Sequence, residues 1–310
     1  MKKYVFKRIV IALCTLFIII LVLFLMEKGM PGSPFNDEKM THAQLKVLYA
    51  KYGLNKPVLV QFWDYFRNML TGNFGESYSL QVNTSVTEMI AAHFPISLQI
   101  GLQAVALGTV VGFILGIIAA LKHNTVIDSL MTGVSVIGVS LPNFVVALIL
   151  SLVLAYKLNW FPLIYSASAG FSSTVLPTIA LSTFTMASIE RYARSEMVDI
   201  MNSDFIKLAD AKGISKSRLI FRHVIRNTMI SIITVLAPLA IELIAGSMVI
   251  EKAFSIPGLG TLYINAIQAN DYNVVLGVTF FYAVLFISIM LLVDILYGVI
   301  DPRVRLAKEG

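Results

Sequence analysis

The sequence predicts an all-α integral membrane protein with six transmembrane helices and both termini in the cytoplasm. Three observations carry that prediction. The 310 residues are 57% hydrophobic and only 14% charged, whereas a soluble globular domain carries about 25% charged residues. There is too little polar side chain to cover a water-facing surface. Six apolar runs approach or exceed the length of about 20 residues that crosses about 30 Å of hydrocarbon as a helix. Finally, of 24 Lys and Arg, 16 fall in segments that a cytoplasmic N-terminus places inside and 8 in segments outside, the bias expected of cytoplasmic loops.

The runs in order are Ile9–Met26, Pro95–Leu121, Ser129–Tyr156, Val175–Ile189, Thr228–Ile250 and Val274–Ile300. The first follows Lys2, Lys3, Lys7 and Arg8 and is longer than the apolar region of a secretory signal. No A-x-A-like site follows it, and bulky Leu13 opposes a lipoprotein cleavage at Cys14, so it is expected to stay attached. The second carries Ala104, Gly108, Gly112, Gly116 and Ala120 at four-residue steps, a ladder that lets helix backbones approach closely; a sliding interface is the alternative use. The fourth is the shortest and contains Pro177. The fifth contains Pro238, which removes a backbone hydrogen bond and predicts a kink. Glu242 falls near its middle, where a charge costs about 2.5–3.5 kcal/mol on insertion scales. It is expected to face water or a partner, or to bond within the bundle. Asp294, nearer the cytoplasmic end of the sixth, reads as structural.

The external segment between the first two spans is long. "THAQLKVLYAKYG" has a Thr41 cap and a Gly53 stop, and "KPVLVQFWDYFRNMLTG" opens a second helix at Pro57. Phe62, Trp63, Tyr65 and Phe66 give this helix a broad aromatic surface. Packing on the outer rim and an aromatic belt at the membrane interface are both open. "SIPGLG" in the last external loop reads as a tight turn. The organisation expected is residues 1–94 as first span plus external helical segment, 95–300 as the core of five spans, and 301–310 as a cytoplasmic tail.

The cytoplasmic loop at 196–227 has a pattern beyond its charge. Met197, Ile200/Met201, Phe205 and Leu208 recur at three- and four-residue steps, as on one helix face. Gly213 stands where a helix commonly ends on a left-handed residue. Ser215 is an N-cap for a second short helix carrying Leu219, Phe221, Val224 and Ile225. A helix, glycine turn and helix between two spans make a docking element for a protein; a basic helix lying on lipid is the alternative.

Covalent chemistry finds no support. No G-x-x-x-x-G-K-[ST] phosphate loop is present, and His42, His93, His123 and His223 are scattered. One cysteine excludes an internal disulfide framework and multi-cysteine metal sites. A polytopic membrane enzyme is disfavoured accordingly. A secondary transporter or channel is disfavoured by the lack of an inverted repeat.

Several stretches then carry a resemblance: "MPGSPF", "YGLNKPVLVQFWDYFRNMLTGNFGESY", "FPISLQIGLQAVALG", "SLPNF", "DFIKLADAKGISKSRLIFRHVIRN", "IEKAFSIPGLG", "NDYNVVLGV" and "VDILYGVIDPRVRL". Together they resemble the oligopeptide/dipeptide (and nickel) branch of ABC importer permeases, and within it the oligopeptide B-type subunit of Gram-positive bacteria. Lys207-Leu208-Ala209 stands where much of the superfamily has Glu-Ala-Ala, and Arg226-Asn227 where Leu-Pro is common. Ala209-Asp210 departs from the Ala-Arg or Ala-Lys of the peptide branch.

The resemblance implies a type I importer permease in the plasma membrane, without enzymatic activity or cofactor of its own. It implies a homologous second permease, two ABC ATPase subunits that hold ATP and Mg, an external peptide-binding lipoprotein, surrounding membrane lipid, and no nucleic acid. Coupling to the ATPases would fall on Asp204, Lys207, Ala209, Asp210, Ala211, Gly213, Ser215, Arg218, Arg222, His223, Arg226 and Asn227. Glu242 and Pro238 would belong to the translocation pathway, where Glu242 could meet a peptide's amino group. Trp63, Phe66, Pro257, Gly258 and Gly260 are candidates for docking the binding protein.

Overall fold

A computed structural model describes residues 2–29, 42–51, 53–244 and 246–300. Thirteen α-helices cover most of them: α1 Lys2–Gly29, α2 His42–Lys51, α3 Val58–Leu70, α4 Val86–Leu121, α5 Val126–Ser140, α6 Asn143–Leu150, α7 Ser172–Met201, α8 Asp204–Ala211, α9 Lys216–Leu219, α10 Ile225–Ile244, α11 Met248–Ala253, α12 Leu259–Gln268 and α13 Tyr272–Ile300. Among the described residues there is no strand, only an isolated bridge between Glu76 and Ser85. "MPGSPF", Thr41 and the 301–310 tail lie outside the described residues, as does the side chain of Asp294.

Four helices are long and apolar enough to cross a membrane, Phe6–Met26, Val86–Leu121, Lys216–Ile244 and Tyr272–Val293, or five if one bent pair counts as a span. That pair takes the place of the third expected run, Ser129–Tyr156, which is therefore not a single helix. Val126–Ser140 and Asn143–Lys157 meet at 103°, because Pro142 offers no N–H to the helix and holds Leu141 extended at φ −84°, ψ 127°. The "SLPNF" stretch is therefore a corner. Two other boundaries move as well. Helix α4 begins at Val86 and carries Pro95 inside it rather than at its start. The fifth run ends at Ile244, not Ile250: Gly246 turns at φ +92° and Ser247 caps a separate α11 by accepting from Ile250 N–H.

The fourth run lies inside α7, which does not meet the criterion for a membrane span by composition. Its surroundings explain why. Helices α5, α6, α10 and α11 all pack on α7, and fourteen of its residues are buried, including Ser173, Thr174, Thr178, Ser182 and Thr185. A helix wrapped by protein need not match lipid, so hydroxyls that bond back to its own turns are tolerated: Ser182 and Thr183 both donate to Ile179 O.

The chain forms two compact units, one of residues 1–95 and 261–310, the other of 96–260. In the first, α1 lies along α13 and α3 packs on α1. Its core joins Ile20, Phe24, Phe62, Met69 and Phe280. Asp271 is fully buried there and accepts from the hydroxyl of Ser77 and from the N–H groups of Ser79 and Leu80 at 2.9 and 3.0 Å. In this way the 77–80 turn is tied to the start of α13.

In the second unit the small-residue ladder packs α4 against α7. A Cβ on Gly108 would lie 2.9 Å from Ser182 O, one on Gly112 would collide with Met186 O, and one on Gly116 would lie 2.7 Å from the Cβ of Ala193. The packing reading of the ladder holds.

Candidate functional site

The loop after α7 is a short helix seated by one apolar cluster. Helix α7 ends at Met201 with Asn202 as its C-cap, and Ser203 stands at the N-cap of α8, its hydroxyl bonding back to Ile200 O. The run expected as one stripe is thereby cut in two. Met197 and Ile206 are buried with Ala120, Leu219 and Val224, whereas Phe205 and Leu208 point outward. The buried position of α8 is thus Ile206, one residue from the expected Phe205.

Gly213 holds the turn. Its φ is +76°, its N–H donates to Asp210 O at 2.8 Å, and Ile214 N–H reaches back to Ala209 O at 3.3 Å. This pair of bonds is the Schellman closure of a helix, whose usual companion is an apolar contact between the flanking residues. Ala209 and Ile214 supply it, both partly buried against the cluster. A Cβ on Gly213 would meet nothing within 4 Å, so the glycine is required by its backbone conformation and not by crowding.

The second helix of the loop is not separate. Ser215 stands at the N-cap position, though its side chain makes no cap bond. From Lys216 the chain passes through α9, a wider π turn at Ile220–Val224, and α10 as one 29-residue helix. The basic run is therefore joined directly to the following membrane helix. Its outer surface carries exposed Phe221 beside exposed Lys216, Arg218, Arg222 and Arg226. On α8, Asp204, Lys207, Asp210 and Ala211 are exposed, with Lys207 bonded to Asp204 at 3.1 Å. His223 is half-buried and its carbonyl accepts from Asn227 Nδ2 at 2.7 Å.

The remaining site candidates fall elsewhere. Pro238 and Glu242 are exposed on α10, away from the loop. Trp63 is exposed on α3, while Phe66 is partly covered, its ring 5.5 Å from that of Phe17. Pro257 is exposed, but Gly258 and Gly260 are buried for an internal reason. Glu251 is buried, accepts from Ser97 Oγ at 2.7 Å, and that hydroxyl accepts from Leu259 N–H at 2.8 Å. A Cβ on Gly258 would lie 2.5 Å from the Glu251 carboxyl, and one on Gly260 3.0 Å from it. The "IEKAFSIPGLG" stretch thus closes around a carboxylate, and of its three docking candidates only Pro257 is offered outward.

One ion pair was not foreseen. Arg194 of α7 donates through Nε and Nη2 to the two oxygens of buried Asp128, the latter at 2.8 Å. Asp128 also accepts from Asn124 N–H at 2.9 Å, with His123 Nδ1 at 3.3 Å. The clamp fixes the turn between α4 and α5 to α7. An Asp in the first turn of a helix was visible in the sequence; its partner, 66 residues away, was not.

The sequence relationships fit this arrangement. Residues 112–306 match the family described as binding-protein-dependent transport system inner membrane component, and residues 1–101 match its N-terminal family. The chain belongs to this family. It is 43% identical over 306 residues to the dipeptide transport system permease protein DppB of Lactococcus lactis, covering 99% of this chain and all of that one. It is 38% identical over 306 residues to the oligopeptide transport system permease protein OppB of Salmonella typhimurium, covering 98% of this chain and all of that one. Among solved structures, the inward-facing MetNI methionine ABC transporter aligns with a TM-score of 0.56 at 14% identity, over 69% of this chain and 97% of that one. That likeness supports the type I permease fold. As a member of the family, the chain is a membrane component of a transport system.

Proposed function

We propose that the chain is one of two permease subunits of an ATP-driven peptide importer, with six spans and both termini in the cytoplasm of a Gram-positive bacterium. The observation that carries this is the 204–227 loop. It is a glycine-capped helix seated by its own apolar cluster, displaying Phe205, Leu208, Phe221 and a set of bases, and continuous with a membrane helix. An ATPase subunit gripping that surface would move α10 as a lever. Two ATPases carrying ATP and Mg, a homologous second permease and an external peptide-binding lipoprotein complete the machine. Glu242, exposed on α10, faces the pathway, and Pro257 belongs to the external face that receives the binding protein.

The substrate class is oligopeptides. Identity to the permease named for dipeptides favours the shorter substrate as the second reading; a nickel complex is the third. Reconstitution of the full complex in liposomes, with ATP hydrolysis stimulated by peptides of graded length, tests this directly. Stimulation by peptides longer than dipeptides supports the first reading, stimulation by dipeptides alone the second, and no response to any peptide removes both. Topology is tested on intact cells in a Cys14→Ser background. Gln268→Cys should react with an impermeant thiol reagent and Lys216→Cys should not; the reverse pattern refutes the orientation.

A further inference from the structure

Helix α3 has three faces rather than two. Phe62, Tyr65 and Met69 form one, packed with Ile20 and Phe24 of α1 and Phe280 of α13. Gln61, Asp64, Arg67 and Asn68 form the second, and all four line a 720 Å³ cavity shared with Lys28 and Lys56. Lys56 pairs with Asp64 there at 2.6 Å. The third face is Leu59, Trp63 and Leu70, at four- and seven-residue steps, and these side chains are 76%, 60% and 60% exposed. An ordinary surface helix has one apolar face toward its core and a polar face toward water. Here a second apolar stripe, free of charge, stands between the two.

The depth of the helix says what covers that stripe. The rings of Phe62 and Phe66 lie 6.0 and 5.5 Å from the ring of Phe17, and Phe62 also meets Phe24 at 5.4 Å. Phe17 lies near the middle of the apolar stretch Phe6–Met26. At about 1.5 Å per residue it sits about 13 Å along the helix from Met26, well inside a hydrocarbon layer of about 30 Å. Helix α3 therefore lies alongside the C-terminal half of α1 and not beyond its end. On α1 itself Ile18 and Leu25 are exposed too, as expected of an apolar span that offers side chains to acyl chains at this depth.

We propose that α3 is immersed in the outer half of the bilayer, with Leu59, Trp63 and Leu70 covered by lipid acyl chains and its polar face solvated through the cavity. The third face thus separates the cavity from lipid, and no charged side chain of α3 is brought into hydrocarbon. This rests on the topology proposed above, with α1 a membrane span whose N-terminus is cytoplasmic; the test checks the span separately.

The full complex is expressed in cells whose phospholipids carry alkyne-tagged fatty acids. Benzoylphenylalanine replaces Leu59, Trp63 or Leu70 in turn, with Ile18 as the α1 control and Asp64 as the cavity control. After irradiation, the three stripe positions should capture lipid to about the extent of Ile18 and roughly five-fold above Asp64 or more, since acyl chains are confined to the hydrocarbon layer. Capture of the second permease or the binding protein at Trp63, in place of lipid, overturns the proposal. Equal lipid capture at Asp64 overturns the three-face geometry. Failure at Ile18 itself overturns the span and the proposal with it. A second measurement guards against misfolding by the probe. In a Cys14→Ser background, Trp63→Cys should resist an impermeant maleimide while Arg67→Cys reacts; reaction of Trp63→Cys at the rate of Arg67→Cys would place the stripe in water.

Discussion

Replacing Gly213 tests the loop at its most constrained point. With φ at +76° and open space where a Cβ would go, a substitution should cost conformational energy and nothing else. A residue with Cβ pays about 1–2 kcal/mol in the left-handed region, which multiplies the opened population of the turn by about 5 to 30. Asn tolerates that region and should cost least, Ala more, and β-branched Val most. The order Gly, Asn, Ala, Val is the signature of backbone conformation, because a steric cause would instead rank Asn with Val by size.

Exposed Lys207, Lys212, Lys216 and Arg218 surround the turn, so limited trypsin digestion of the purified complex reports its opening. Cleavage in this regime follows the opened population. Gly213→Ala should be nicked about 5- to 30-fold faster than the parent, with Gly213→Asn close to parental. On the proposed reading, bound ATPase and peptide-driven hydrolysis should fall in the same order, since the turn sets the surface offered to the ATPase. Lys216→Ala should change little, because an exposed charge contributes about 0–1 kcal/mol. If Gly213→Asn fails as badly as Gly213→Val, the positive-φ argument is wrong. If Gly213→Val behaves as the parent while Lys216→Ala loses the ATPase, the run acts through charge and the docking reading falls.

Other perturbations follow from the packing. Gly112→Ala drives a methyl into the Met186 carbonyl on α7 and should cost about 1–3 kcal/mol; a melting temperature equal to the parent's would show that α4 and α7 separate without cost. Arg194→Leu strands the buried Asp128 carboxylate and should destabilise by about 3–5 kcal/mol, with Asp128→Asn/Arg194→Leu partly restored; strict additivity in that cycle would deny the clamp. Asp271→Ala leaves the Ser79 and Leu80 N–H groups without their acceptor, at about 1–3 kcal/mol each if they stay dry; unchanged protection of the 77–80 turn in hydrogen exchange would contradict that.

Much of this was legible where the signal is local. Gly213 ends a helix because of its own backbone, and the ladder from Ala104 to Ala120 announces close packing by spacing alone. What escaped was set by non-local contacts or by backbone effects that hydropathy ignores. Leu141 and Pro142 sit inside an uninterrupted apolar run, yet the missing N–H turns the chain through 103°. Helix α7 looked a weak span because its lipid-like surface is not needed: neighbouring helices cover it. Phe205 and Leu208 fit the periodicity of Met197, but Ser203 restarts the helix and hands the buried position to Ile206. The carboxylates of Asp128, Glu251 and Asp271 find partners 66, 154 and 194 residues away, beyond any motif.

The junction at the end of α10 gives these pieces a mechanical sense. From Lys216 to Ile244 the helix is continuous over 29 residues, or about 43 Å. Moved as one body, a helix of that length converts a small rotation at its loop end into a large displacement at the other: a tilt of about 5° carries Glu242, about 39 Å from Lys216, through about 3 Å, and Pro238 is the point on the way where a missing backbone bond lets the helix bend. The helix then stops abruptly. Gly246 takes φ +92°, and beyond it α11 and the 255–260 turn close around the Glu251 carboxylate, where Gly258 and Gly260 leave no room for a side chain. A lever needs a firm seat, and at Gly246 the φ of +92° is combined with a close approach to Glu251 and Ser97 that leaves no room for a Cβ. On the proposed reading, the glycine at 213 sets the grip, the unbroken helix carries the movement past Glu242, and the glycine at 246 is the joint at which the arm meets its seat.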